Sequence, residues 1–237
     1  MPVFTKTLDF IFPPQCLICR NRVDAHGTLC IICWKDVHFI TEPYCACCGL
    51  PFDFDIGKHA MCGDCIQERP SFSRARAAFK YDDASSKLVT ALKYNDQLHL
   101  ATIYGSWLAK AGQELIVSSD IIIPVPLHWK RFASRRYNQA SLLAYALARH
   151  CNLRVLPDAL KRIKPTQPQT GLTRKERQKN VHGAFEVNAK YSQAIQGKSL
   201  LLIDDVMTTS ATLQQCARIL LKNSAATVNV LTLARKI

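Results

Sequence analysis

The chain has 237 residues, enough for one medium domain and a small one, and carries 31 Lys and Arg against 18 Asp and Glu, a net charge of +13. No stretch approaches the roughly 18 to 20 apolar residues of a membrane span, and the opening MPVFTKTLDFIFPPQC lacks a hydrophobic signal core, so a cytoplasmic protein with no membrane association is expected. Charge is segregated: residues 1–70 hold six basic against eight acidic groups and residues 130–179 hold thirteen against two, which points to an anionic partner, nucleic acid or polyphosphate, with a merely solvated basic face as the alternative.

Nine of the eleven cysteines lie between Cys16 and Cys65, and eight of them form four C-x2-C pairs: Cys16/Cys19, Cys30/Cys33, Cys45/Cys48 and Cys62/Cys65. One such turn presents two thiolates to one ion, and two turns complete a tetrahedral four-thiolate zinc site. Four pairs therefore predict two structural zinc sites, closed to a catalytic water. Gaps of ten residues (20–29) and thirteen (49–61) favour ribbons in tandem, with interleaved pairing and redox-active dithiols as the alternatives. Cys47, Cys151 and Cys216 are spare thiols, His59 is a surface imidazole with a substitute zinc ligand as the alternative, and Gly49 and Gly63 suit turns of positive φ. A linker over 67–78 then divides the chain into residues 1–70 and 71–237.

Beyond the linker, strands are predicted at 77–81, 120–125, 184–187, 199–204 and 227–233. Helical faces run through Leu100, Ile103, Tyr104, Trp107, Leu108 and Ala111, and through Leu213, Cys216, Ala217, Leu220 and Leu221. Alternation of this kind gives an α/β fold, a parallel sheet flanked by helices. The strand at 120–125 leads into Pro124-Val125-Pro126-Leu127 and then Lys130, Arg131, Arg135 and Arg136, charge-assisted donors for pyrophosphate or DNA phosphate. Asn138 and Gln139 begin a helix with Leu142, Leu143, Ala146 and Leu147. Residues 161–180 are polar and basic without apolar periodicity and read as a mobile loop. Tyr94, Trp129, Phe132 and Tyr137 lie close to the basic runs and are candidate stacking platforms for single-stranded DNA.

The most informative stretch is LLLIDDVMTTSATL at 200–213. An apolar run is a buried parallel strand, and its carboxyl end is where open α/β sheets bind ligands. Thr208, Thr209, Ser210, Ala211 and Thr212 open the next helix, whose free amides favour phosphate. Asp204 and Asp205 lie about one ribose away, where carboxylates accept bonds from sugar hydroxyls. A P-loop magnesium strand is a weak rival, since G-x-x-x-x-G-K-[ST] occurs nowhere; aspartates that only cap the turn are the plainer alternative.

LLLIDDVMTTSAT resembles the phosphoribosyl-pyrophosphate (PRPP) motif of type I phosphoribosyltransferases. ALKYNDQLHLA, IIIPVPLHWKRFASRRYNQASLLA and RIKPTQPQTGLTRKERQKNVHGAFEV resemble the ComF, or GntX-like, family, as do the four cysteine pairs, so the likeness spans nearly the whole chain. It implies a type I phosphoribosyltransferase-like domain behind a double zinc ribbon. Asp204 and Asp205 would face the ribose and residues 208–212 the 5-phosphate, with magnesium accompanying PRPP. A closing loop would carry Arg162, Lys164, Thr166, Gln169, Arg174, Arg177 and Asn180. It also implies a role in DNA uptake and natural transformation with single-stranded DNA as partner. Two departures stand out: Ser210 replaces the usual glycine, and Arg135-Arg136-Tyr137-Asn138-Gln139 replaces R-G-F-N-Q. No residue is assigned as catalytic; an active phosphoribosyltransferase and a ribbon scaffold recruiting a helicase or recombination protein are the competing readings.

Overall fold

The computed structural model describes residues 13–92, 100–127, 137–164 and 174–237. Two short helices come first, α1 (Ile31–Asp36) and α2 (Gly63–Gln67), each preceded directly by a cysteine at its N-cap. There follow β1 (Ala75–Lys80), α3 (Asp83–Ala91), α4 (Leu100–Ala111), α5 (Gln113–Val117), β2 (Ile121–Pro124), α6 (Gln139–Ala148) and β3 (Arg154–Val155). After these come β4 (Leu160–Arg162), α7 (Arg174–Val181), β5 (Phe185–Val187), α8 (Ser192–Ile195), β6 (Ser199–Met207), α9 (Ala211–Lys222) and β7 (Thr227–Arg235). Among the described residues no helix is long and apolar enough to cross a membrane.

Five strands form one parallel sheet in the order β1-β7-β6-β2-β3. This is the expected parallel sheet flanked by helices, behind an amino-terminal cysteine region. Chain direction across the sheet reverses between β2 and β6, since β2 leads outward to β3 and β6 outward to β7. Open α/β sheets hold ligands at such a reversal, beyond the carboxyl ends of the strands.

Side chains alternate across the sheet with the period of two that a strand imposes. Leu200 and Leu202 of β6 face one side with Ile121, Ile123, Val228 and Val230, packed under Leu213, Cys216, Ala217 and Leu220 of α9. Leu201 and Ile203 face the other with Ile122, Leu231 and Leu233, under Tyr104 and Leu108 of α4 and Leu143 and Leu147 of α6. A strand buried on both faces reads as an unbroken apolar run, which is why Leu200–Ile203 lacks alternation in sequence.

The cysteine region belongs to these same cores. Cys45, Cys48, Cys62 and Cys65 pack on the α9 side together with Phe72 and Ala75. Val37 packs on the α4 side, where Trp34 and Phe39 meet Trp107 at ring-centroid distances of 6.5 and 5.3 Å. Along the outer side of β1, the Ile40 amide donates to the Ala78 carbonyl and the Lys80 amide to the His38 carbonyl, both at 2.9 Å. The Ala75 amide donates to the Cys47 carbonyl at 2.7 Å. Thus the 67–78 stretch is not linker to its end: Phe72 is buried and β1 has begun by Ala75.

Two other expectations change. The strand at 184–187 is β5, but it pairs antiparallel with β4 in a separate two-stranded sheet instead of joining the parallel one. Residues 161–180 are not loop throughout, because β4 opens the segment and α7 closes it, anchored by buried Leu160, Val181 and Phe185. Those anchors flank the polar stretch and leave no helical period inside it.

Candidate functional site

Each cysteine quartet is built the same way. An isolated bridge (Gln15 with Arg22, Tyr44 with Pro51) closes a hairpin around the first pair, and the second pair sits at the cap and first turn of a short helix, α1 or α2. The sulfurs of Cys16, Cys19, Cys30 and Cys33 gather in one cluster and those of Cys45, Cys48, Cys62 and Cys65 in another, each set within 4.8 Å of one another. Pairing is therefore tandem. Two thiolates on a tetrahedral zinc, with bonds of about 2.3 Å, lie about 3.8 Å apart; Cys19 to Cys30 and Cys48 to Cys62 both measure 3.6 Å. Backbone amides already point at the sulfurs, from Cys33 to Cys30 at 3.5 Å and from Cys62 to Cys45 at 3.3 Å. Hydrogen bonding from the Cys48 thiol, aided by backbone amides, lowers the Cys45 thiol to about 4, and backbone amides lower Cys16 to about 6 despite its burial. The other ligand thiols with a resolved shift, Cys19, Cys33, Cys48 and Cys65, are raised, so each cluster has one thiol poised to ionise first, and the donor set and spacing fit two structural zinc ions.

Cys47 is buried with its sulfur 3.8 Å from the Ser73 carbonyl, and Cys151 and Cys216 lie outside both clusters, as does exposed His59. Gly49 has φ +71°, and a Cβ there would stand 2.5 Å from the Ala75 carbonyl oxygen, so glycine is required by both backbone and contact. Gly63 corrects its expectation: it is the first residue of α2 and has no positive φ.

The second candidate site is the end of β6. Its strand runs past the carboxylates to Met207, three residues beyond the predicted end, because residues 206 and 207 pair with Ala234 and Arg235. Asp204 Oδ1 accepts from the Asp205 amide at 2.9 Å and Asp205 Oδ1 from the Val206 amide at 2.7 Å. Neither carboxylate forms an ion pair among the described residues. Burial first, then the adjacent Asp205, raises the Asp204 carboxyl well above the usual range, and the Arg162 guanidinium pulls the other way.

From this strand the chain enters α9 through Thr208, Thr209 and Ser210. Among the described residues the amides of Thr208, Thr209, Ser210 and Ala211 donate to no partner, and the Thr209 hydroxyl is buried without one. Ser210 sits at the N-cap with φ +56°, the left-handed geometry that glycine adopts freely, and its hydroxyl accepts from Gln214 Nε2 at 2.9 Å. The turn thus keeps the glycine-like conformation while carrying serine. Beside it, the end of β2 is fixed by Asn138, whose Nδ2 donates to the Val125 carbonyl at 3.0 Å while its Oδ1 caps α6.

Met207, Thr208, Thr209 and Ser210 also form one wall of a cleft of about 480 Å³. Its other walls are α2 with the second cysteine cluster, and Arg235 and Lys236 at the end of β7. Asp204 and Asp205 are not part of its lining. Arg235 and Lys236 went unpredicted, since a basic pair at the end of a strand has no sequence signal of its own; only its spatial neighbours mark it.

Asp204, Asp205 and residues 208–212 are brought together on one strand and helix start, with Arg162 of β4 acting electrostatically on Asp204. Lys164 is exposed near Gly183 and Asn180 lies on α7. Lys130, Arg131, Arg135, Arg136, Thr166 and Gln169, the side chains of Arg174 and Arg177, and Tyr94, Trp129 and Phe132 lie outside the described residues. Tyr137 is half-buried and donates its hydroxyl to the Leu92 carbonyl at 2.8 Å, which ties the ring down.

Comparison with known proteins gives a match of residues 7–66 to the double zinc ribbon domain family. Competence protein F of Haemophilus influenzae is 31% identical over 228 residues, covering 93% of this chain and 96% of that protein. DNA utilization protein YhgH of Escherichia coli O6:H1 is 31% identical over 232 residues, covering 94% and 97%. Competence protein ComFC of Bacillus subtilis is 26% identical over 240 residues, covering 93% and 94%. Among solved structures, the glutamine PRPP amidotransferase from B. subtilis matches 56% of this chain and 25% of its own at 17% identity, with a TM-score of 0.38.

Proposed function

The chain belongs to the family of Competence protein F and DNA utilization protein YhgH, and from that premise we propose that it serves DNA uptake, binding PRPP or a related ribose 5-phosphate at the β6–α9 turn and single-stranded DNA on its basic segments. The observation that carries the reading is the turn itself: four unpartnered amides and a buried, unpartnered Thr209 hydroxyl follow directly on two carboxylates that form no ion pair among the described residues. Amides at a helix start attract phosphate, and carboxylates accept from ribose hydroxyls. Magnesium fits the same edge, since it is bound by one or two carboxylates together with substrate phosphates; Asp204 and Asp205 would hold it or the ribose. The names of the relatives and the +11 charge of residues 130–179 support the DNA half.

Calorimetric titration of PRPP with magnesium is the test. Asp205→Asn is expected to bind at least about tenfold more weakly, the loss of about 1.4 kcal/mol that one charge-assisted hydrogen bond supplies; equal heats for variant and wild type would remove the ribose role. For DNA, the logarithm of affinity for an oligonucleotide should fall linearly with the logarithm of salt, by about 0.7 per phosphate contacted. Absence of binding at low salt sinks that half alone.

A second reading, recruitment of a DNA-processing protein by the ribbons, is favoured by Ile31 and Ile32, exposed at 75% and 67% on α1. A photo-crosslinker placed at Ile32 should then capture a helicase or recombination protein in cells taking up DNA; capture of neither counts against it.

A further inference from the structure

The cleft has a metal cluster for one wall and the β6–α9 turn for another, and β7 supplies a side chain that touches both. Arg235 lies beside Met207 in the parallel register of β6 and β7. Its Nη1 donates to the Cys48 carbonyl at 2.5 Å and its Nη2 to the Cys48 sulfur at 3.4 Å. The same Nη1 stands 3.7 Å from the Met207 sulfur, and the next residue, Lys236, donates its amide to the Met207 carbonyl at 2.9 Å. One planar guanidinium therefore holds the backbone and sulfur of a candidate metal ligand against the last residue before the turn.

Hydrogen bonds to a ligating group orient it and tune its hold on the ion. Arginine's fixed fork can serve carbonyl and sulfur at once, whereas a lysine ammonium is a point charge on a flexible stem. The first cluster is built from the same hairpin and helix cap yet has no counterpart: among the described residues no side-chain cation donates to the sulfurs of Cys16, Cys19, Cys30 or Cys33.

We propose that Arg235 is a positioning residue that couples the second cysteine cluster to the β6–α9 turn, so that zinc is held more firmly at Cys45, Cys48, Cys62 and Cys65 and the turn is better ordered while the guanidinium is in place. The proposal does not depend on PRPP, and its test uses neither ligand nor turnover.

Zinc release from the full-length, zinc-loaded protein to a chromophoric chelator is measured beside hydrogen exchange across residues 207–211. In Arg235→Gln one of the two ions is expected to leave about 10- to 100-fold faster, the other at the wild-type rate, with faster exchange at the turn. Arg235→Lys, which keeps the charge and the stem, should fail to restore either. Wild-type release of both ions overturns the proposal, as does equal acceleration of both with a lowered melting temperature, the mark of general destabilisation. Faster release with unchanged exchange at 207–211 overturns the coupling. Restoration by lysine would show that charge alone suffices and would overturn the role of the fork.

Discussion

Ser210 offers a test in which the usual ranking of two residues inverts. At φ +56° it occupies a conformation that strains an L-residue by about 1–2 kcal/mol. Glycine escapes that strain but loses about 0.4–1 kcal/mol through the greater freedom of its unfolded chain. Ser210→Gly and Ser210→Ala both remove the hydroxyl that accepts from Gln214, so the bond cancels between them. What remains is a preference for glycine of roughly 1 kcal/mol, whereas within a regular helix alanine leads by about that amount. In a chain of this size the gap is worth about 2–4 °C of melting temperature. Alanine also forfeits the Gln214 bond, about 0.5–1.5 kcal/mol, and so falls below wild type, while glycine stays near it. Urea unfolding of the three proteins, zinc-loaded throughout, gives the comparison; alanine equal to or above glycine would refute the left-handed turn.

Other perturbations follow from the same geometry. Because Asp204 has a raised folded-state pKa, the folded chain binds its proton more tightly than the unfolded chain, and stability is lost as pH climbs from about 4 through the raised value. Asp204→Asn, whose amide oxygen can still accept from the Asp205 N–H, should therefore be more stable than wild type at pH 7, with the gain shrinking toward pH 4; a gain independent of pH would count against the linkage. Gly49→Ala forces a left-handed alanine and sets its Cβ 2.5 Å from the Ala75 oxygen, so a loss exceeding the about 1–2 kcal/mol of the backbone strain alone is expected in urea melts; a smaller loss would mean the ribbon moves freely against β1. Elemental analysis should find two zinc per chain, and Cys62→Ser one, with two in the variant contradicting Cys62 as a required ligand.

Legibility in the sequence followed the range of the interaction. The cysteine quartets were readable because C-x2-C is a local geometry that needs nothing but its own turn, and the β6–α9 segment because an apolar strand, two acids and a hydroxyl-rich helix start are consecutive. What escaped was set by distant partners. The strand β6 outran its apolar run since β7 continues beside it to Arg235. Residues 184–187 carried the same local signal as the sheet strands, and only pairing with β4 sent them elsewhere. Gly63 looked like Gly49, yet one begins a helix and the other faces the Ala75 carbonyl. The departure at Ser210 drew notice in the sequence, but its left-handed φ appears only in three dimensions. Arg235 had no signal at all until β7 brought it against Cys48.

The pairing of residues 38–40 and Cys47 along β1 bears on the fate of protein that has lost its metal. An open strand edge is a template for other chains, and here the segments that occupy it are flanked by the two cysteine clusters, which bound zinc would hold in place. Zinc starvation or oxidation of the cysteines would bare the amides and carbonyls of Ala75–Lys80 beside buried Phe79. Such a sheet recruits its own kind, so apoprotein should gather into β-rich aggregates and leave the working pool, which would make the two cysteine clusters guardians of solubility.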